Sequence, residues 1–535
     1  KTLNKKTVTG TSFSNKVSEE TFTYDAIKRM KSHSCTYNVS NSKSVSEHIS
    51  YVKGETDPSA DNRIYSYEYK VNGVRKAYSY NNYDAYNRLI AKATTVGHQE
   101  LYFTRDITYD KTRVSRVADS FSSCNKGTDI YEYDSLGRIT SHCYSSDYTC
   151  DCKTYVYNSF GQLVREDNIA LDKTFIFCYD SIGNITSVKT YAYTTDTTPS
   201  GAYTEETYCY DSTHKDRLVN FNGNCITYNS LGCPQEHDGK IWSWTKGKLT
   251  RIHMGSASQP GSTYEDCTFS YDAYGRRTQK HYVYDPNPAV AGDGHYYYTT
   301  DYTYDASDKL IREVCTEYRD TGITTTREFI YLYDESGIIG VTYNANGSGA
   351  QTYFYRRNLQ GDVIAIYDQA GSRKVEYAYD AFGNCTVVYA ALPDLANSNP
   401  IRYRGYYYDR ETKLYYLNAR YYNPEWRRFI SPDDTGYLDP ESVNGLNLYV
   451  YCNNDPVNYA DHSGHMALSA ILIAMAIGFG VGAAIGGAFE IGKQVVSNGW
   501  NASEWDWWQI ARSTLGGGVA GAISAIPIPG TGFLS

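Results

Sequence analysis

Along most of the chain apolar and polar positions alternate in short runs, and the runs repeat. The stretches "YEYDSLGRITS", "YVYNSFGQLVR", "FCYDSIGNITSVKTY", "ITYNSLGCP", "FSYDAYGRRTQKHYVY", "YLYDESGIIGVTY" and "YAYDAFGNCTVVY" share Tyr-x-Tyr or a close variant, then Asp or Asn, two variable residues and usually Gly. Looser copies surround Asp25, Asp84, Asp110, Asp211 and Asp305. Alternation with a period of two predicts strands, because successive side chains point to opposite faces, and it sets Tyr131 and Tyr133 on one side. Asp134 or Asn158 suits the first position of a tight turn, and Gly137 or Gly161 accepts the positive φ that closes it. Residues Arg138, Ile139 and Thr140 then begin a returning strand, so each unit is predicted to be a β-hairpin. The unit "KIWSWTKGKLTRI", Lys240 to Ile252, keeps the alternation and the Gly turn with Trp as its aromatic.

The anchor tyrosines fall at Tyr109, Tyr133, Tyr157 and Tyr179, then at Tyr210 and Tyr228, steps of roughly twenty residues with insertions. A single hairpin is not stable in water, so the units must pair edge to edge into one long sheet. The aromatic content points the same way: 57 Tyr stand against 16 Phe and 7 Trp. Tyr packs its ring on a half-buried sheet while its hydroxyl keeps a polar partner. A sandwich with two dry inner faces suits this polar chain less well than a long sheet that coils on itself.

Charge and motifs exclude more than they assign. The net charge of −9, with Lys and Arg scattered, leaves no electrostatic footprint for nucleic acid. The 13 Cys are widely spaced without a C-x-x-C pair, Cys150 and Cys152 being nearest neighbours; they read mostly as small strand-packing residues rather than a zinc site or dense disulfide framework. The repeated Asp could serve calcium, but calcium loops bring several oxygen ligands together, and here one Asp precedes apolar residues and Gly. The turn role is preferred. No phosphate-cradling loop, nucleophile elbow or H-E-x-x-H is present, and neither metal nor cofactor is expected.

From Tyr353 onward the pattern becomes specific: "YFYRRNLQGDVIAIYDQAGSRKVEYAYDAFGN", then "NPIRYRGYYYDRETKLYYLNARYYNPEWRRFISPDDTGYLDPESVNGLNLYVYCNNDPVNYADHSGH". With the repeats, this resembles the rearrangement hotspot (Rhs) or YD-repeat family and its Rhs-associated core over roughly residues 20 to 465. The resemblance implies a spiralling β-strip that closes into a hollow shell. In bacterial members the shell encloses a variable C-terminal toxic segment; related shells occur in insecticidal toxin complexes and in the adhesion domains of teneurins. It divides the chain into a repeat shell over 1–350, a core over 351–465 and an apolar glycine-rich C-terminal region over 466–535.

Some members cut their own chain at the end of the core through two acidic residues arranged as in aspartyl proteases. Carried over by position, these are Asp433, after "ISP", and Asp461, opening "DHSG", with Arg420 of "ARYY" beside them; the scissile bond is His465–Met466. Peptide hydrolysis of this kind needs carboxylates close enough to act as base and acid, with the Arg orienting one. The chain departs from the family pattern, which has Asp-Pro at both acidic positions where this one has Asp433-Asp434 and Asp461-His462, Gly where it has Arg427, and often Leu at His465. A purely structural role stands beside the catalytic one: Asp433 closing a turn at Gly436, Asp461 closing one at Ser463-Gly464, and Arg420 pairing with either.

At the seam the solvent preference changes. No charged residue occurs from Met466 to Phe489, about two dozen residues and enough for a helix to cross a bilayer, with Gly478, Gly482 and Gly486 on a close-packing stripe. Three destinations stay open: insertion into a target membrane, storage inside the shell, or a permanent anchor. In "EWDWWQ", Trp505, Trp507 and Trp508 suit a membrane interface or the packing of a linker helix. The expected function is thus a secreted or cell-surface shell that presents its own C-terminal effector, with an immunity protein and a target membrane as further partners. The alternative is a surface adhesion or carbohydrate-binding protein anchored by its apolar tail.

Overall fold

The computed structural model describes residues 5–6, 17–465 and 468–469, except for 26–28, 38–42, 53–62, 97–101, 123, 147–149, 256–262, 288–293, 306–307, 321, 323 and 435–445. Among the described residues, 31 strands join one sheet, from Lys5–Lys6 to Cys385–Ala390, and every pairing is antiparallel between strands consecutive in sequence. One short α-helix, Pro393–Ser398, follows the last of them. A second sheet of four strands, Tyr407–Asp409, Leu414–Leu417, Arg420–Asn423 and Arg428–Phe429, comes next.

The quoted units fold as antiparallel hairpins, and the Asp134 turn shows the expected chemistry. The Asp134 Oδ1 accepts the N–H groups of Leu136 and Arg138 at 2.9 Å each. Gly137, at φ 89°, donates to the Asp134 carbonyl at 3.0 Å. The Arg138 side chain returns to Asp134 Oδ2 at 2.7 Å, a clasp repeated by Arg88 on Asp84 and Arg276 on Asp272. Just before each turn the ladder slips by one residue, so that Tyr133 faces Ile139 and Tyr157 faces Leu163.

The second tyrosine of each unit then ties its hairpin to the preceding one. The hydroxyl of Tyr157 donates to the Ile139 carbonyl at 2.7 Å, Tyr133 to Val114 at 2.7 Å, Tyr109 to Leu89 at 2.9 Å and Tyr333 to Leu310 at 2.8 Å. In the divergent unit Trp244 takes over, its Nε1–H donating to Pro234 at 2.6 Å. The guanidinium of the preceding turn lies over the same ring, Arg138 at 4.6 Å from the Tyr157 centroid and Arg88 at 4.4 Å from that of Tyr109, a cation–π contact added to the hydrogen bond.

The sheet meets itself after more than two hundred residues. Turns and strand ends of the later hairpins rest on side chains of the earlier strands: Lys309 on Glu47 at 2.8 Å, Glu335 on Asn81 and Lys92 at 2.8 Å each, and Leu359 N–H on the Tyr131 hydroxyl at 3.0 Å. Arg356, fully buried, pairs with Asp119 at 3.0 Å and with Asp129, which also meets His142 at 2.8 Å. Burial alone would raise the Asp129 carboxyl, but Arg356 and His142 outweigh it and hold it at about 2. The Ala381 N–H donates to Glu166 Oε2 at 2.7 Å, and here burial, with Asp380 nearby, pushes the carboxyl up to about 8.

The cysteines are used more variously than strand packing alone. Cys143 and Cys152 lie directly opposite in the pairing of Ile139–Ser145 with Cys150–Tyr157, and they form a disulfide. The others whose side chains are described are free thiols, of which Cys35, Cys233, Cys267, Cys315 and Cys452 are buried. Among the described residues no helix is long and apolar enough to cross a membrane. The expected helical tail, including Trp505, Trp507 and Trp508, lies outside them; Leu468–Ser469 alone is described there, pairing as a short strand with Tyr459–Ala460.

Two measurements follow from these contacts. Arg356→Met removes the buried cation that Asp119 and Asp129 share, leaving Asp119 to Arg105 and Asp129 to His142, and should cost about 3 kcal/mol, whereas Tyr157→Phe removes one neutral hydrogen bond and should cost about 0.5–1.5 kcal/mol; equal shifts in the urea midpoint would contradict this ranking. The Glu166 proton, kept in the folded state but released from an unfolded glutamate above about 4.3, makes stability fall as pH rises from about 4 to about 8. Glu166→Gln should flatten that part of the curve, and an unchanged slope would refute the assignment.

Candidate functional site at the end of the core

The strand Arg420–Asn423 follows a tight turn in which Asn418 takes a positive φ of 61°. This turn delivers the Arg420 side chain, buried among four chain segments. Its guanidinium lies 3.6 Å above the Phe429 ring. Nη2 pairs with Asp433 Oδ2 at 2.8 Å and faces Asp461 Oδ2 at 3.7 Å. Nη1 donates to the Leu448 carbonyl at 3.0 Å, and Nε to that of Gly464. Both carboxylates named from the sequence therefore converge on one nitrogen of the arginine named with them.

Each carboxylate also holds backbone. Asp461 is buried; its N–H donates to the Tyr406 hydroxyl at 2.8 Å, and its Oδ1 accepts the N–H groups of Ser463 at 3.1 Å, Gly464 at 2.8 Å and His465 at 3.2 Å. This is the turn-closing arrangement expected of Asp-x-x-Gly, and it coexists with the contact to Arg420. Gly464 has φ 78°, and a Cβ there would come within 2.6 Å of the Leu417 carbonyl and 3.0 Å of the Arg420 nitrogen, so the turn requires glycine. Asp433 donates its N–H to Leu448 at 3.0 Å, while its Oδ1 accepts Asp434 N–H at 2.8 Å and meets His465 Nδ1 at 2.7 Å. Gly436, the expected end of the Asp433 turn, and Met466, the second residue of the expected scissile bond, lie outside the described residues.

Sequence reasoning did not name the Tyr406 hydroxyl, the Leu448 carbonyl, the Phe429 ring or the His465 imidazole as parts of this site. Nor did it find how the core is held to the repeats. Arg277, wholly buried, pairs with Asp409, and Lys280 reaches Asp409 at 2.9 Å and Glu411 at 2.8 Å. Each of these partners is more than a hundred residues away, and no local spacing signals them.

One group with metal-ligand chemistry is found among the described residues. His33, Glu47 and Asp305 bring one ligand atom each within 4.8 Å of one another. The Lys309 ammonium already meets Glu47 there at 2.8 Å, and the group forms part of the contact between early and late hairpins.

No family model matches the chain. It is 33% identical over 312 residues to the tRNA3(Ser)-specific nuclease WapA of Bacillus spizizenii, covering 58% of this chain and 12% of that protein. It is 35% identical over 134 residues to toxin protein Tse5 of Pseudomonas aeruginosa, covering 25% of this chain and 9% of that one. The chain thus spans about an eighth of the first relative and less of the second. Among solved structures it resembles the TcdB2-TccC3-Cdc42 structure, with a TM-score of 0.59 and 17% identity over 86% of this chain and 24% of that one. A Photorhabdus luminescens Tc holotoxin pore gives 0.58 and 17% over 85% and 25%.

Fold and site together define an all-β hairpin-repeat protein of the β-shell kind, ending in a buried knot of arginine and two aspartates. Its relatives over the repeats and core are Rhs/YD-repeat proteins.

If Arg420 holds this knot, Arg420→Met leaves Asp433 and Asp461 buried without their cation, at about 3–5 kcal/mol. Protease nicking between residues 423 and 465 should then appear at a denaturant concentration where the native chain stays intact, and equal resistance would contradict the role.

Proposed function

We propose that this chain is the shell-forming and core part of an Rhs-type toxin, which encloses a C-terminal effector and cuts itself once between His465 and Met466. The observation that carries this reading is the convergence of Asp433, Asp461 and His465 around Arg420, at the point where the polar core gives way to an apolar segment. Enclosure is supported by the way late hairpins rest on early strands and by the likeness to the TccC3-containing structures. An effector is supported by relatives whose names are those of nucleases and a toxin. In this reading the repeats of 1–350 form the shell wall, 351–465 the core, and 466–535 begins the segment the shell contains. The product is secreted, its effector is met by an immunity protein, and the run 466–489 engages the target membrane.

In the proposed reaction a water adds to the His465 carbonyl carbon. Asp433, paired with Arg420, takes the water proton; Asp461 in its acid form gives a proton to the Met466 nitrogen as the C–N bond breaks. The products are a carboxyl-terminated core and a new amino terminus, and the next proton exchange with solvent restores both aspartates. Two such groups in one site account for acid and base in turn.

The experiment is expression of the chain followed by intact mass and denaturing gel. The native chain should give a fragment ending at His465 and the matching remainder, which co-elute under native conditions. Asp433→Asn and Asp461→Asn should each slow cutting by about a hundredfold or more. An uncut native chain, or undiminished cutting in Asp461→Asn, would overturn the proposal.

A further inference from the structure

We infer that His465 is a positioning residue for this cleavage, holding the scissile residue at two points, one on each carboxylate. The inference rests on the reading of the seam as a self-cutting site. The His465 backbone N–H donates to Asp461 Oδ1 at 3.2 Å and lies 3.2 Å from Ser463 Oγ, while its imidazole Nδ1 sits 2.7 Å from Asp433 Oδ1. The main chain of the residue before the cut is thus fastened to one aspartate and its side chain to the other. Fixing both ends restricts rotation of the residue and holds its carbonyl where either acid can serve it, which is how orientation lowers a barrier.

The contact is also selective. Asp433 is nearly buried, with Arg420 on its Oδ2 and the Asp434 N–H on its Oδ1, so the place left beside it accepts a hydrogen-bond donor. A leucine at 465 keeps the backbone bond to Asp461 but offers Asp433 nothing. An asparagine places its amide nitrogen the same number of bonds from the main chain as Nδ1 and donates without titrating. The charged groups around the imidazole are Asp433, Arg420 and Asp461, with Asp434 adjoining.

The test follows the rate of cutting after rapid dilution of the full chain from denaturant. His465→Leu should cut about tenfold more slowly or worse, and His465→Asn, which keeps the donor, should stay within about threefold of the native rate. If His465→Leu cuts at the native rate while Asp461→Asn stays inactive, His465 has no positioning role although the seam is a self-cutting site. If no form cuts, both readings fall. A measurement independent of cutting completes the test: in uncut Asp461→Asn chain with nitrogen-labelled histidine, adding Asp433→Asn should move the His465 ring-nitrogen resonance, and an unmoved resonance overturns the contact.

Discussion

Burying a tyrosine ring in a sheet is costly unless its hydroxyl finds an acceptor, and at the hairpin turns this cost shapes the architecture. The hydroxyls of Tyr109, Tyr133, Tyr157 and Tyr333 all find the same one, a carbonyl of the strand that begins after the preceding turn. Burial pushes phenols such as Tyr157 and Tyr179 well above their ordinary range, so they stay neutral donors. The turn supplies the rest of the setting. The same Asp that caps the backbone also clasps an arginine, and that arginine covers the ring of the next hairpin. Turn, clasp and ring are therefore one unit, and the sheet lengthens by repeating it. Where Tyr gives way to Trp244, the indole N–H fills the same place, which shows that the donor rather than the phenol is what the position demands.

Contacts between early and late hairpins obey a different rule. They use charges withdrawn from water, and such pairs do little for net stability but penalise any displacement that parts them. Arg356 between Asp119 and Asp129, and Arg277 on Asp409, are both wholly buried. Ladder hydrogen bonds leave open how one part of a long strip sits on another; these pairs define it. Arg420 applies the same device at the end of the core, where one guanidinium gathers Asp433, Asp461, Leu448 and Gly464.

What the sequence makes legible is what is local. Tyr131 and Tyr133, Asp134 and Gly137 lie within seven consecutive residues, so alternation, turn chemistry and positive φ could be read from them and are found in place. The clasp of Arg138 on Asp134 is equally local, yet nothing about an arginine opening a strand distinguishes it from any surface cation. Cys143 and Cys152 required the hairpin register, which sets them face to face. The pairs made by Arg356 and Arg277 span more than a hundred residues and have no sequence signature. Arg420, Asp433 and Asp461 were picked out by family resemblance rather than by any spacing, and the bond from His465 to Asp433 depends on how the chain turns at Gly464.

Since each strand pairs with the one made just before it, this sheet has no step in which a finished strand must wait for a partner not yet synthesised. Hairpins can lock on in the order the ribosome delivers them, each new tyrosine finding its carbonyl already in place. Long-range contact, the slow event for most large β proteins, is postponed until the hairpins near Lys309 and Glu335 emerge to meet Glu47 and Lys92.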